Sequence, residues 1–259
     1  MNGFDIILVI ESAIFGAIVG SFLNVVALRY TTKEDIVASR SHCSHCNKTL
    51  RWWEVVPVVS FIALRGRCAL CGKKLSYRYV VVEIVTAIVT FAIVGLTQSG
   101  GYGLLEGIGL LMSAYILIVL ALIDLKTMLL PDVFVGMLAL VVIITRYIAP
   151  ISFMQSLLGV AVGSGFLLAI WIITRGKGIG FGDVKLMIPL GILMGPWGAV
   201  GVLFLSFISG GVFGVILLGL KKADAKTAVP FGPFLVGSAL LLLTRPDFIN
   251  TVYKIVSGY

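Results

Sequence analysis

The chain has 259 residues, of which 59% are hydrophobic and only 12% charged, with a mean hydropathy of +1.09. Ordinary soluble domains carry about 25% charged residues. A chain this apolar has to place most of its surface in lipid, which excludes a soluble globular protein, a disordered chain, a collagen-like repeat and a small disulfide scaffold. The net charge of +8 reads first as membrane topology rather than as a nucleic-acid footprint.

The first apolar run covers residues 6–28. It holds Glu11 and is preceded by Asp5, with no Lys or Arg before Arg29. A cleaved signal peptide would carry positive charge ahead of its apolar stretch, so this run is expected to be a spanning helix with its N-terminus outside. A polar stretch, residues 29–78, follows and contains all four cysteines. Further apolar runs cover residues 79–96, 104–123, 133–148, 153–174, 186–195, 197–220 and 231–243. A span needs about 20 apolar residues, so the sixth run is short, and Pro189, Gly191, Gly195 and Pro196 interrupt it. The expected fold is an all-α polytopic membrane protein with about eight transmembrane helices. Its parts are a first transmembrane helix (1–28), a cytoplasmic zinc-binding loop (29–78) and a transmembrane core (79–259). Alternating the spans from an outside N-terminus puts 17 of the 20 Lys and Arg residues inside, leaving Arg146, Arg245 and Lys254 outside. No internal repeat or low-complexity tract is visible.

Cys43-x-x-Cys46 and Cys68-x-x-Cys71 are separated by 21 residues, close to the usual four-cysteine zinc spacing. Each Cys-x-x-Cys turn can aim two sulfurs at one point, and two such turns complete a tetrahedron. On the reducing side of the membrane thiolates are expected rather than disulfides. Four sulfurs leave no open position for water, so the zinc is expected to be structural. His42 and His45 adjoin the first pair and read as loop histidines.

Acids beside apolar spans are costly and tend to be functional. Asp124 ends the third run, and Asp183 lies just before the sixth, in Gly178-x-Gly-x-Gly182-Asp183-x-Lys185. The topology puts both at cytoplasmic helix ends, at one membrane depth, where they can meet. Two carboxylates that meet cannot both ionise easily, and the pair can serve as general base and general acid on a water. Taken singly, Asp124 also reads as an interface anchor and Asp183 as a helix N-cap. Asp132 reads as a cap after Pro131, Glu83 as a structural polar contact, and Lys126 and Lys185 as positive-inside anchors. The glycines before Asp183 lack the Lys-Ser/Thr ending of a phosphate loop.

Together these residues resemble the type IV prepilin peptidase family. Gly20-Ser-Phe-Leu-Asn24 looks like its opening motif. The four-cysteine loop follows, with Trp53-Glu54-x-x-Pro57 and Arg65-Gly66-Arg67-Cys68 inside it. Then come Glu83, Ile123-Asp124, Leu130-Pro131-Asp132, the Gly-x-Gly-x-Gly-Asp-x-Lys string and Pro230-Phe-Gly-Pro-Phe234. The resemblance implies a membrane-embedded aspartic endopeptidase of the bacterial inner membrane, with Asp124 and Asp183 catalytic. It implies prepilin or pseudopilin substrates, whose short basic leader is removed after a glycine at the cytoplasmic boundary. It also implies that many relatives methylate the new N-terminus with S-adenosylmethionine, in association with the cytoplasmic loop. The residues themselves indicate no methyl-donor site. Two other readings stand beside it: a proton-coupled transporter using boundary aspartates, and a zinc-dependent scaffold. No nucleic-acid partner is expected, and a metalloprotease is disfavoured because there is no His-Glu-x-x-His.

Overall fold

A computed structural model describes residues 6–35, 41–43, 45–46, 48–148, 152–220 and 229–248. Arg40, Lys221, Lys222, Lys226 and Lys254, five of the 20 Lys and Arg residues behind the expected orientation, lie outside the described residues. Among those described, the regular structure is helical apart from two isolated β-bridges. Five helices are long and apolar enough to cross a membrane. The chain falls into two compact units, Met1–Tyr102 and Gly103–Tyr259.

In the first unit, α1 (Ile6–Thr32) and α3 (Arg78–Gln98) form an antiparallel pair. Small residues set their approach. A Cβ at Gly16 would meet Thr90, and one at Gly20 would lie 2.9 Å from the Glu83 Cα. The Asn24 amide donates to the Gly20 and Tyr79 carbonyls, both at 3.2 Å. The outward face of α1, with Ile7, Ile10, Ile14, Phe15 and Phe22, is exposed, as a lipid-facing surface requires. Between the two helices lie a 3-10 turn (Trp52–Val55), the short α2 (Val59–Ala63) and the cysteine turns.

The second unit begins with α4 (Leu104–Thr127) and α5 (Asp132–Ile148), an antiparallel hairpin. A Cβ at Gly109 would strike Thr145, and Arg146 pairs with Glu106 at 3.9 Å. α6 (Phe153–Ile173) packs on α7 (Phe181–Gly219), whose 39 residues are broken at Gly195 (φ +66°, ψ −173°). Along the first arm of α7 the contacts with α6 descend: Ser156 bonds the Ile192 carbonyl, and Ser164 bonds that of Val184. Along the second arm they ascend, from Gly159 against Gly195 to Gly163 against Ala199 and Phe166 against Phe207. The chain therefore reverses direction at Gly195-Pro196 with no polar loop. Only a glycine adopts that backbone without strain, and Pro196 offers no N–H to carry the helix across. A Cβ at Gly159 would overlap the Gly191 carbonyl, so the turn sits against the bare backbone of α6. The sixth and seventh apolar runs are these two arms.

α8 (Gly232–Thr244) packs antiparallel to the second arm. Ser206 bonds both the Phe234 carbonyl (3.2 Å) and the Ser238 hydroxyl (3.0 Å), pairing polar groups that lipid could not satisfy. The buried core of the unit is aliphatic, with Leu117, Leu120, Leu186, Met187, Leu190 and Leu235 fully enclosed.

Candidate functional site

The first-unit site is the cysteine cluster. All four Sγ atoms lie within 4.8 Å of one another, and Cys43 and Cys71 Sγ are 4.0 Å apart. Sulfurs at about 2.3 Å from one tetrahedral zinc stand roughly 3.8 Å apart, so the donor set and its spacing fit that ion. None of the four is disulfide-bonded. The backbone N–H groups of Cys71 and Leu70 favour the Cys68 thiolate and hold that thiol down to about 7. The backbone N–H of Lys48 acts the same way on Cys46, but partial burial and the three neighbouring sulfurs outweigh it and push Cys46 up to about 11. Four thiols compete for protons in one place, a conflict that a divalent cation resolves.

The two cysteine turns are built on one plan. The Cys43 N–H bonds the Lys48 carbonyl, as Cys68 N–H bonds that of Lys73. Leu50 N–H bonds Ser41, as Leu75 N–H bonds Gly66. The isolated bridges His42–Thr49 and Arg67–Lys74 match as well. This corrects the expectation of no internal repeat: residues 41–50 and 66–75 share Cys-x-x-Cys-x-Lys-x-Leu, a pattern shorter than any of the long apolar helices. His42 and His45 are not part of the group of sulfur ligands.

Glu83 is buried, and its Oε2 accepts the Val58 N–H at 2.8 Å. It is thus a structural polar contact that ties α3 to the loop backbone. Val58 itself has φ +60°, a strained position for a β-branched residue, and Glu83 helps to hold it there.

The second-unit site gathers the ends of four helices. Asp124 is in the last turn of α4, which Met128 closes in a left-handed conformation with its N–H on the Asp124 carbonyl at 2.8 Å. Asp183 lies in the first turn of α7. The N-cap is Gly180, so Asp183 is not the cap that its sequence position also allowed. It is the third helical residue, and its carboxylate reaches back to the Gly180 N–H while its own N–H bonds the Gly180 carbonyl at 3.1 Å. The helix starts five residues earlier than the apolar run because Phe181 and Gly182 are helical.

Both carboxylates are buried, and Asp183 lies within electrostatic reach of Asp124. Two contacts hold the start of α7 against the turn between α4 and α5. A Cβ at Gly182 would lie 3.2 Å from Leu130, and Lys185 Nζ pairs with Asp132 Oδ1 at 2.8 Å while lying over the Phe181 ring. Lys185 and Asp132 thus tie α7 to α5, beyond the anchor and cap roles their positions suggested. Gly232, the first residue of α8, supplies a backbone N–H to Asp124. A Cβ there would stand 2.5 Å from Asp124 Oδ2, and that oxygen has no hydrogen-bond partner among the described residues. Gly232 belongs to the Pro-Phe-Gly-Pro-Phe string, whose place at the aspartates is a feature of the fold. A glycine between Phe and Pro at the start of an apolar run was the available signal.

Residues 14–96 match the bacterial peptidase A24 N-terminal domain, and residues 111–215 match the type IV leader peptidase family. A prepilin leader peptidase/N-methyltransferase of Bacillus subtilis is 32% identical over 242 residues, covering 93% of this chain and 95% of the relative. The chain belongs to the type IV leader peptidase family. Relatives bearing the same description from Pseudomonas aeruginosa and Stutzerimonas stutzeri are each 31% identical, covering 97% and 95% of this chain and 95% and 93% of their own lengths. No solved structure matches. The two family matches fall within the two compact units, so the leader peptidase match lies with the aspartates and the N-terminal domain match with the cysteines. The chain is thus a multi-pass membrane peptidase, and the transporter reading is not favoured.

Proposed function

We propose that Asp124 and Asp183 are the catalytic pair of this leader peptidase, acting on prepilins or pseudopilins. The observation that carries the reading is the convergence of two buried carboxylates at one set of helix ends. One carboxylate, ionised, takes a proton from water. The other, protonated, polarises the scissile carbonyl and passes its proton to the leaving amine. Asp124 Oδ2, without a protein partner among the described residues, is an acceptor suited to that water. The division of roles between the two is open to exchange, since a shared proton belongs to the pair.

The substrate has a basic leader on the cytoplasmic side and an apolar helix in the bilayer, so helix ends at the boundary reach the bond without moving it far. This reading takes the orientation from the positive charge of the loops, with the N-terminus outside and the cysteine loop and aspartates inside. Small-residue faces between spans suit a substrate helix held by close packing. A zinc ion held by Cys43, Cys46, Cys68 and Cys71 has the structural role of fixing the loop. The relatives' description as N-methyltransferases supports a second activity, transfer of a methyl group from S-adenosylmethionine to the new N-terminus.

The test is cleavage of a prepilin by the purified protein in detergent or liposomes, read by product mass. Wild type should remove the leader, and Asp124→Asn and Asp183→Asn should leave it in place. A methyl gain of about 14 Da that requires S-adenosylmethionine reports the second activity. Wild-type cleavage by either variant would overturn the assignment.

A further inference from the structure

The first unit holds a partly open cavity of about 710 Å³ lined by α1, α3 and the cysteine loop. That is the size of a small-molecule site. It has apolar walls, including Leu28, Phe61 and Leu75, and a polar floor made by Ser21, Asn24 and Glu83.

The floor is rich in acceptors. Asn24 commits its amide hydrogens to the Gly20 and Tyr79 carbonyls, so what it has to offer a ligand is its oxygen. Glu83 is 7% exposed. It is met by the Val58 N–H and the Ser21 hydroxyl, and no ion pair involves it among the described residues. A buried carboxylate with no cationic protein partner is costly. A ligand that brings a hydrogen-bonding cation into the cavity removes that cost. Arg29 also lines the cavity, but it is already engaged with another group.

We infer that this cavity is a methyl-transfer site in which Glu83 binds the primary ammonium that accepts the methyl group. The inference rests on the methyltransferase half of the proposed function and goes beyond it by naming the site and the residue. The acceptor is the α-ammonium of the newly cut N-terminus. Glu83, with Asn24 in the same cavity lining, holds the ammonium and takes one proton from it. A bound sulfonium donor supplies an electrophilic methyl carbon. The amine lone pair forms the new N–C bond as the C–S bond breaks, and that electron pair stays on sulfur. The positive charge passes from sulfur to the methylated nitrogen, and the proton remains on Glu83 until it returns to water.

The substitution that tests this is Glu83→Gln. It keeps an oxygen for the Val58 N–H and removes only the charge. Four readouts are taken on the full-length protein: prepilin cleavage, methyl transfer, zinc content, and binding of two probes. The probes are S-adenosylmethionine and a peptide with the mature N-terminus, free or N-acetylated. Glu83→Gln should cleave and hold zinc as wild type does, and methylate about 10²-fold more slowly or worse. It should bind the free-amine peptide about tenfold more weakly, as loss of a charge-assisted hydrogen bond dictates. Its affinities for the acetylated peptide and for S-adenosylmethionine should be unchanged.

The donor also carries an ammonium. Weakened S-adenosylmethionine binding with unchanged peptide binding would overturn the assignment to the acceptor. Full methylation by Glu83→Gln would overturn the site. Should that variant lose zinc, Glu83→Asp and Asn24→Leu put the same question to the floor, and unchanged peptide binding and methylation in both would refute it. A wild-type protein that cleaves but never methylates would instead defeat the proposed second activity.

Discussion

Replacing Gly232 with alanine isolates one contact at the aspartate pair. The new Cβ would lie 2.5 Å from Asp124 Oδ2 and 3.1 Å from its Cγ. Ordinary contact begins near 3.4 Å, so the oxygen must retreat by about 0.9 Å or α8 must back away by a similar amount. The backbone is no obstacle, since Gly232 is not among the positive-φ residues, and alanine suits a helix better than glycine by up to about 1 kcal/mol. The fold should therefore survive while the carboxylate moves. A misplacement of about 1 Å in a catalytic group can cost roughly 10²-fold in rate. We expect Gly232→Ala to lower kcat for leader removal by about that factor, with KM and the thermal unfolding midpoint close to wild type. The assay is a time course of leader removal in liposomes at several prepilin concentrations. A kcat within about threefold of wild type, in a variant of unchanged stability, would show that the carboxylate has no need of its observed position. The place of Gly232 in the site would then fall.

Asp124→Asn and Asp183→Asn should each lower cleavage by at least about 10²–10⁴-fold while leaving zinc content and unfolding midpoint unchanged, measured on the same preparations. Cys68→Ser should release zinc and lower the unfolding midpoint, with the loop becoming protease-sensitive first; limited proteolysis with and without a chelator checks this. Gly159→Val would press side-chain atoms into the Gly191 carbonyl and should destabilise the second unit by about 1–3 kcal/mol or prevent its folding, read by thermal unfolding in detergent. Asp132→Asn removes an exposed ion pair and should cost no more than about 1 kcal/mol, with cleavage little changed.

The apolar runs made most of the helices legible, because lipid demands long apolar segments with internally satisfied backbone. They were blind at helix ends. The start of α7 is glycine-rich and short of apolar residues, yet helical, and this moved Asp183 from a cap to the first turn. The turn at Gly195-Pro196 was visible as an interruption between two runs. Its backbone geometry, and the bare glycine face of α6 on which it rests, were not. The cysteine cluster was legible because its ligands are near in sequence and few chemistries want four thiols. Pairing Asp124 with Asp183 relied on matching depth, and nothing local to Asp124 points to Gly232, more than a hundred residues away. Glu83 shows the same limit: an acid inside a span signals cost, while its bond to the Val58 N–H and its place on a cavity floor exist only in three dimensions.

The reversal at Gly195-Pro196 bears on how the first arm of α7 keeps its depth. The first arm, residues 181–194, is about 21 Å long at 1.5 Å per residue, against a hydrocarbon thickness of about 30 Å. It is too short to be held across the bilayer alone, and no polar segment separates it from the second arm. The second arm, residues 196–219, is about 36 Å long and can span alone, so the first arm is held at its depth by packing on α6 rather than by its own length. Any change that parts the first arm from α6 should therefore let Asp183 shift in depth without touching the carboxylate itself.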